Sequence, residues 1–239
     1  MPRQGLVASL RAARNRGAGI IAELKRASPS HGSFGTEDIA PRLHAYEAAG
    51  VSGISVLTEP RHFNGSFDDL EQAVIETTRP VLCKDFIVTS GQLELASRLG
   101  ASAALIIVKS KPSLALVDKC LDLGLEPLFE IHDEKDLDAI VPIVGVNPSQ
   151  FIIGINNRDL VSLRVDTSTT IKLAPIAREL LGDEPLIISE SGIESPADAK
   201  RLASAGVDGF LIGTTFMNTP VDKLGATIKG YIDACKRDD

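Results

Sequence analysis

Glu23 and Lys25 stand two residues apart at the end of GIIAEL, residues 19–24, an apolar run with the length and β-branched content of a buried strand. Successive side chains of a strand alternate faces, so Ile21, Glu23 and Lys25 share one face while Ile20, Ala22 and Leu24 share the other. The same alternation predicts Lys84 on the face of Leu82 in VLCKDF and Glu130 on the face of Leu128 in EPLFE. It places Asn156 in line with Ile152 and Gly154, and Glu190 in line with Leu186 and Ile188. Each of these polar residues falls at the C-terminal end of its run. If the runs are parallel strands of one sheet, two lysines, three glutamates and an asparagine converge on a small volume, a set suited to moving protons and holding an oxyanion. A single acid–base pair at a strand end is more often a salt bridge. Five strands ending alike need another reason, because charged groups resist burial unless they are paired or used.

Two later stretches point to an anion. SESGIESP carries Ser191 and Gly192 just before a helix start, and GFLIGTTFMNTP carries Gly213, Thr214 and Thr215 just before a short helix that Pro220 terminates. Small residues allow close backbone approach, and the N–H groups of a helix start carry partial positive charge. Taken singly, SG and GT are ordinary turns. Their pairing on neighbouring late strands makes a phosphate site the better reading, with hydroxyls from Ser28 and Ser30 beside them.

The elements that must position these residues repeat along the chain. Eight short apolar runs, at 19–24, 53–57, 80–83, 103–108, 126–130, 151–155, 185–189 and 209–213, alternate with stretches of helical period such as TEDIAPRLHAYEAAG, SGQLELASRLG, DEKDLDAIV and SPADAKRLASAG. Ser195 with Pro196 reads as an N-cap followed by proline at the first helical position, and Gly50, Gly100, Gly124 and Gly206 sit where helices should stop. No linker-like stretch interrupts the series. The pattern predicts one α/β domain over residues 1–239, a (β/α)8 TIM barrel with residues 1–18 as an extension forming a short basic helix. The active mouth of such a barrel lies at the C-terminal ends of the strands, and phosphate commonly binds after strands seven and eight.

Composition narrows the classes. A net charge of −7 argues against a nucleic-acid binder, which needs a basic face. Aromatics make up only 4 % of the residues, so the core must be aliphatic, as parallel sheets are. No apolar run has the length of a membrane span, and the N-terminus lacks the apolar centre of a signal peptide. Cys83, Cys120 and Cys235 are too scattered for a CxxC site, which suits a reducing cytoplasm, and Cys83 reads as a buried thiol facing the outer helices. His31, His44, His62 and His132 lack metal-ligand spacing, so neither a metal nor another cofactor is expected. RHFNGSFDDL, residues 61–70, reads as a binding loop or a turn. Arg158 and Asp159 read as a pair that holds the loop after the sixth strand.

With these residues in view, the chain resembles the indole-3-glycerol-phosphate synthase family. The resemblance runs from Ile20 onward through IIAELKRASPS, SVLTEP with FNGS, PVLCKDFIV, LFEIHDE, IGINNRDL, SESGI and FLIGTTFM, in order. It implies a (β/α)8 carboxy-lyase of tryptophan biosynthesis that closes the indole ring of a phosphorylated substrate. By motif, Lys84 would be the general acid, Lys25 the partner of the substrate carboxylate, and Glu130 a base or electrostatic partner. Glu23, Asn156 and Glu190 complete the catalytic set. Arg158 would position its loop, and Ser28, Ser191, Gly192, Gly213 and Thr214 would hold phosphate. Ala27 departs from the lysine common at its place, Thr214 from serine, and only about nineteen residues precede the first strand. A second lysine near Lys84 would lower its pKa and glutamates would raise it, so the sequence leaves the net direction open. Two other readings stay open: a phosphoribosylanthranilate isomerase-like barrel, against which Glu23 and Lys25 speak because that family is expected to use a cysteine and an aspartate, and a catalytically silent sugar-phosphate binder. Oligomeric state is open, with a monomer sufficient for such a barrel.

Overall fold

A computed structural model describes residues 4–35 and 38–236. Eight parallel strands close into a barrel: β1 (Gly19–Leu24), β2 (Gly53–Leu57), β3 (Val81–Lys84), β4 (Ala103–Ile107), β5 (Glu126–Ile131), β6 (Ile152–Asn156), β7 (Leu186–Glu190) and β8 (Gly209–Ile212). Each pairs with its sequence neighbours, and β8 returns to β1 with Ile21 opposite Leu211. The expected strands therefore all form, with ends shifted by no more than a residue. Residues 80–83 become 81–84 because Pro80 has no N–H to give to a ladder.

The two strand faces bury two separate cores. Ile20, Ala22 and Leu24 pack outward among the helices, whereas Ile21, Leu82, Leu105, Leu128, Ile152, Ile188 and Leu211 fill the barrel interior. The outer layer comprises α2 (Ala40–Ala48), α3 (Phe67–Glu76), α4 (Ser90–Arg98), α5 (Leu114–Asp122), α6 (Glu134–Val144), α7 (Ser168–Leu181), α8 (Pro196–Ala203), the short α9 (Thr214–Asn218) and α10 (Val221–Ala234), with α1 (Leu6–Arg14) preceding the first strand. Thr36 and Glu37, the start of the segment read as helical before α2, lie outside the described residues, as do residues 1–3 of the N-terminal extension. Side-chain caps fix several helix starts: Ser66, Ser113, Asp133 and Ser195 each accept a backbone N–H three residues on. Gly50 and Gly100 end α2 and α4 in the left-handed region, at φ +83° and +87°, as their placement suggested.

The N-terminal helix forms the floor. Leu6 and Leu10 enter the barrel core from below, and the Val7 N–H donates to Glu126 Oε2 at 3.0 Å. Gly53 and Gly19 make the room: a β-carbon on Gly53 would lie 2.4 Å from Leu6, and one on Gly19 2.7 Å from Leu10. Arg14 Nε pairs with Asp208 at 3.1 Å, and Arg11 donates to the Glu184 carbonyl at 2.6 Å, pinning the helix to the starts of β7 and β8. The end of α10 returns to the same side: a β-carbon on Gly17 would sit 2.2 Å from the Cys235 carbonyl oxygen. No helix among the described residues is long and apolar enough to cross a membrane.

Candidate active site

At the opposite end the strands open into a cavity of about 880 Å³. Every catalytic and binding candidate named from the sequence lines it: Glu23, Lys25, Lys84, Glu130, Asn156 and Glu190, together with Ser28, Arg158, Ser191, Gly192, Gly213 and Thr214. Inward alternation on a closed barrel explains the convergence, since the last inward residue of each strand has nowhere to point but the mouth.

The charges pair, Lys84 across strands and Lys25 at the end of its own strand. Lys84 Nζ lies 3.1 Å from Glu130 Oε2 and 3.1 Å from Glu190 Oε2, while Lys25 Nζ lies 2.8 Å from Glu23 Oε1 and donates to Thr214 Oγ1 at 3.1 Å. Lys25 also sits over the Phe34 ring, 5.7 Å from its centroid. Burial by itself would push the Lys84 pKa down, but Glu190, Glu130 and Glu23 outweigh it and hold the ammonium above the usual lysine range. That settles the direction the sequence left open. The nearest counter-charges are the two carboxylates of β5 and β7, and the second lysine is itself held by Glu23. Burial raises Glu190 to about 7, with Lys84 opposing and Glu130 adding to the rise. A carboxyl that binds its proton more tightly folded than unfolded favours the folded state while protonated. This contribution is complete below about pH 4.5 and is lost as pH climbs through 7. Urea unfolding between pH 5 and 8 should therefore show a fall in stability that shrinks in Glu190→Gln; an unchanged slope in the variant would assign the fall to other groups.

Glycines make two of these poses possible. A β-carbon at position 213 would lie 2.2 Å from Glu23 Oε1, and one at position 154 would lie 2.1 Å from Glu190 Oε1, so each carboxylate rests against bare backbone. At the end of β7, Ser191 (φ +65°) and Gly192 (φ +74°) both adopt the left-handed region, turning the chain sharply between β7 and α8. Asn157 holds that turn: its Nδ2 donates to the Ser191 carbonyl and to Ser189 Oγ at 3.0 Å each, and its Oδ1 accepts from Thr170. Ser28, which lines the cavity, has a buried Oγ that makes no hydrogen bond within the protein.

Three features were not singled out from sequence. Glu59, in the loop after β2, accepts backbone N–H groups from Arg61, His62 and Phe63, which shapes the start of RHFNGSFDDL. Those N–H bonds outweigh burial and hold its pKa low. Residues Ala27–Ser28 and Gly32–Ser33 form a small antiparallel hairpin at the mouth, anchored where Arg26 makes a double hydrogen bond with Asp69. Leu57, Phe86, Leu105, Ile107 and Leu160 add apolar surface to the cavity lining. The loop after β6 is held differently from the expected Arg158–Asp159 pairing. Arg158 donates to the Leu163 carbonyl, and Asp159 accepts the N–H groups of Val161 and Ser162, because the chain folds back on itself with Arg158 opposite Val165. Cys83 is buried on the outer face, where burial pushes its thiol up to about 12 and removes it from thiolate chemistry.

Fold and site together define a (β/α)8 barrel whose strand ends gather lysines and glutamates in one cavity. Sequence comparison then gives the family. The profile described as indole-3-glycerol phosphate synthase matches residues 1–227, and the chain belongs to that family. Among its relatives, the "Indole-3-glycerol phosphate synthase" of Bacillus mycoides (strain KBAB4) is 40 % identical over 222 residues, covering 91 % of this chain and 82 % of the relative. The protein of the same description from Exiguobacterium sp. (strain ATCC BAA-1283 / AT1b) is 42 % identical over 207 residues, covering 85 % and 78 %.

Proposed function

We propose that this cavity converts 1-(2-carboxyphenylamino)-1-deoxyribulose 5-phosphate to indole-3-glycerol phosphate, with loss of carbon dioxide and water. The observation that carries the reading is the Lys84 ammonium, buried in the cavity wall between Glu130 and Glu190.

Ring closure requires an aromatic carbon to attack a ketone that is only weakly electrophilic, so protonating the developing alkoxide is the step most in need of help. Lys84 supplies that proton. Its two carboxylates keep it charged until the ketone oxygen competes for it. Lys25, hydrogen-bonded to Thr214, holds the substrate carboxylate before decarboxylation and then assists departure of the hydroxyl as water. Glu130 takes the proton that dehydration releases, with Glu23, Asn156 and Glu190 fixing the charges around it. The phosphate rests on the backbone of Ser191–Gly192 and Gly213–Thr214, and Arg158 orders the loop above. The apolar lining residues take the aryl ring. No step calls for a redox change, and no cofactor is assigned. One chain supplies every lining residue, so a monomer suffices, and the cytoplasm suits its three free thiols.

Incubation with the carboxyphenylamino substrate should produce indole fluorescence, and the dephosphorylated analogue should require far higher concentrations for the same rate. Turnover of phosphoribosylanthranilate in its place, with no indole formed at saturating substrate, would reassign the protein to the isomerase reading.

A further inference from the structure

His132 sits two residues beyond Glu130 at the end of β5, with its side chain 6 % exposed. It does not line the cavity. Its Nε2 lies 3.4 Å from Glu130 Oε1 and its Nδ1 3.6 Å from Asp136 Oδ2, and neither ring nitrogen makes a hydrogen bond. A buried polar atom left unsatisfied is costly, so an imidazole kept between two carboxylates needs an explanation. The groups facing it are Glu130 from β5 and Asp136 from α6. Behind Asp136 lies Lys109, 3.8 Å away and bound to Asp133 at 2.7 Å. Carboxylates only accept, so a ring with one N–H serves Glu130 in one tautomer and Asp136 in the other.

Glu130 has two oxygens in different hands. Lys84 holds Oε2 at 3.1 Å, and Oε1 faces the imidazole. When the Lys84 ammonium turns to a substrate oxygen, Oε2 loses its donor. A few tenths of an ångström of ring movement brings His132 Nε2 within hydrogen-bond distance of Oε1. We propose that His132 is a positioning residue for Glu130, an alternate N–H donor that keeps the carboxylate in place once Lys84 leaves it. The inference rests on the reaction proposed above, and it adds a residue that touches no substrate.

Glutamine at this position can present an amide N–H near the place of Nε2, whereas asparagine is one carbon shorter and leucine has no donor. In full-length protein, His132→Leu and His132→Asn should lower kcat by about 10- to 100-fold, the range of a hydrogen bond to a charged group, with KM within about 2-fold. His132→Gln should recover most of that loss. Gln and Asn variants of equal activity, unchanged activity in both, or a loss carried by KM would overturn the proposal, and the Gln–Asn pair decides it even if the leucine variant does not fold. Wild-type turnover of the carboxyphenylamino substrate is read in the same assay, so failure of the reaction assignment is distinguished from failure of the His132 role.

Discussion

Lys84→Ala should lower kcat by about 10³- to 10⁴-fold, the upper range for loss of a general acid, in a protein that still folds and still binds substrate. The fold is expected to survive for a specific reason. Removing one member of a buried ion pair typically costs about 3–5 kcal/mol, because the partner is left charged and dry. Here one partner has an escape: Glu190, with a pKa near 7, takes up a proton at neutral pH and ceases to be an uncompensated charge. Glu130 retains His132 beside it. Far-ultraviolet circular dichroism and a urea midpoint check the fold, and steady-state rates check the chemistry. A kcat within tenfold of wild type would remove Lys84 from the role of acid.

Gly213→Ala should separate activity from stability in the opposite sense to a core mutation. Position 213 has φ −114°, outside the left-handed region that demands glycine. The new methyl group would instead meet Glu23 Oε1 at 2.2 Å and Lys25 Nζ at 2.9 Å, the far ends of two side chains that can move aside. The loss in stability should be about 1 kcal/mol, while kcat/KM falls about 100-fold, because an ångström of displacement in a reacting cluster carries that order of effect. Gly225→Ala on α10, where a β-carbon meets open space, is the matched control and should leave kcat/KM alone. Equal kinetics in the two variants would show that the Glu23–Lys25 geometry does not matter to turnover.

Much of this site is legible in the primary structure because a closed parallel barrel translates strand alternation directly into geometry. Once Ile21 and Leu82 are assigned inward, Glu23, Lys25 and Lys84 follow without further information. The residues that stayed hidden are those whose role depends on distance rather than period. Glu59 stands in a loop and binds main-chain N–H groups, which leave no trace in side-chain identity. His132 was weighed only as a metal ligand, since its two carboxylate neighbours become neighbours through the turn from β5 into α6. The charge state of Lys84 depended on whether a second lysine or two glutamates lay closer, and sequence order cannot rank those separations. Arg158 and Asp159 look like a pair because they are adjacent, yet adjacent side chains in an extended loop diverge. The position of α1 was equally hidden, because nine residues bearing Leu6 and Leu10 do not say which end of a barrel they close.

The packing of Gly17 against Cys235 has a practical corollary. Gly5 stands against Glu126 at the start of β5, so the two ends of the described chain both lie on the sealed side, away from the aperture. A surface tether joined at Gln4 or Lys236 would hang clear of incoming substrate, so immobilisation there should leave catalytic traffic unobstructed.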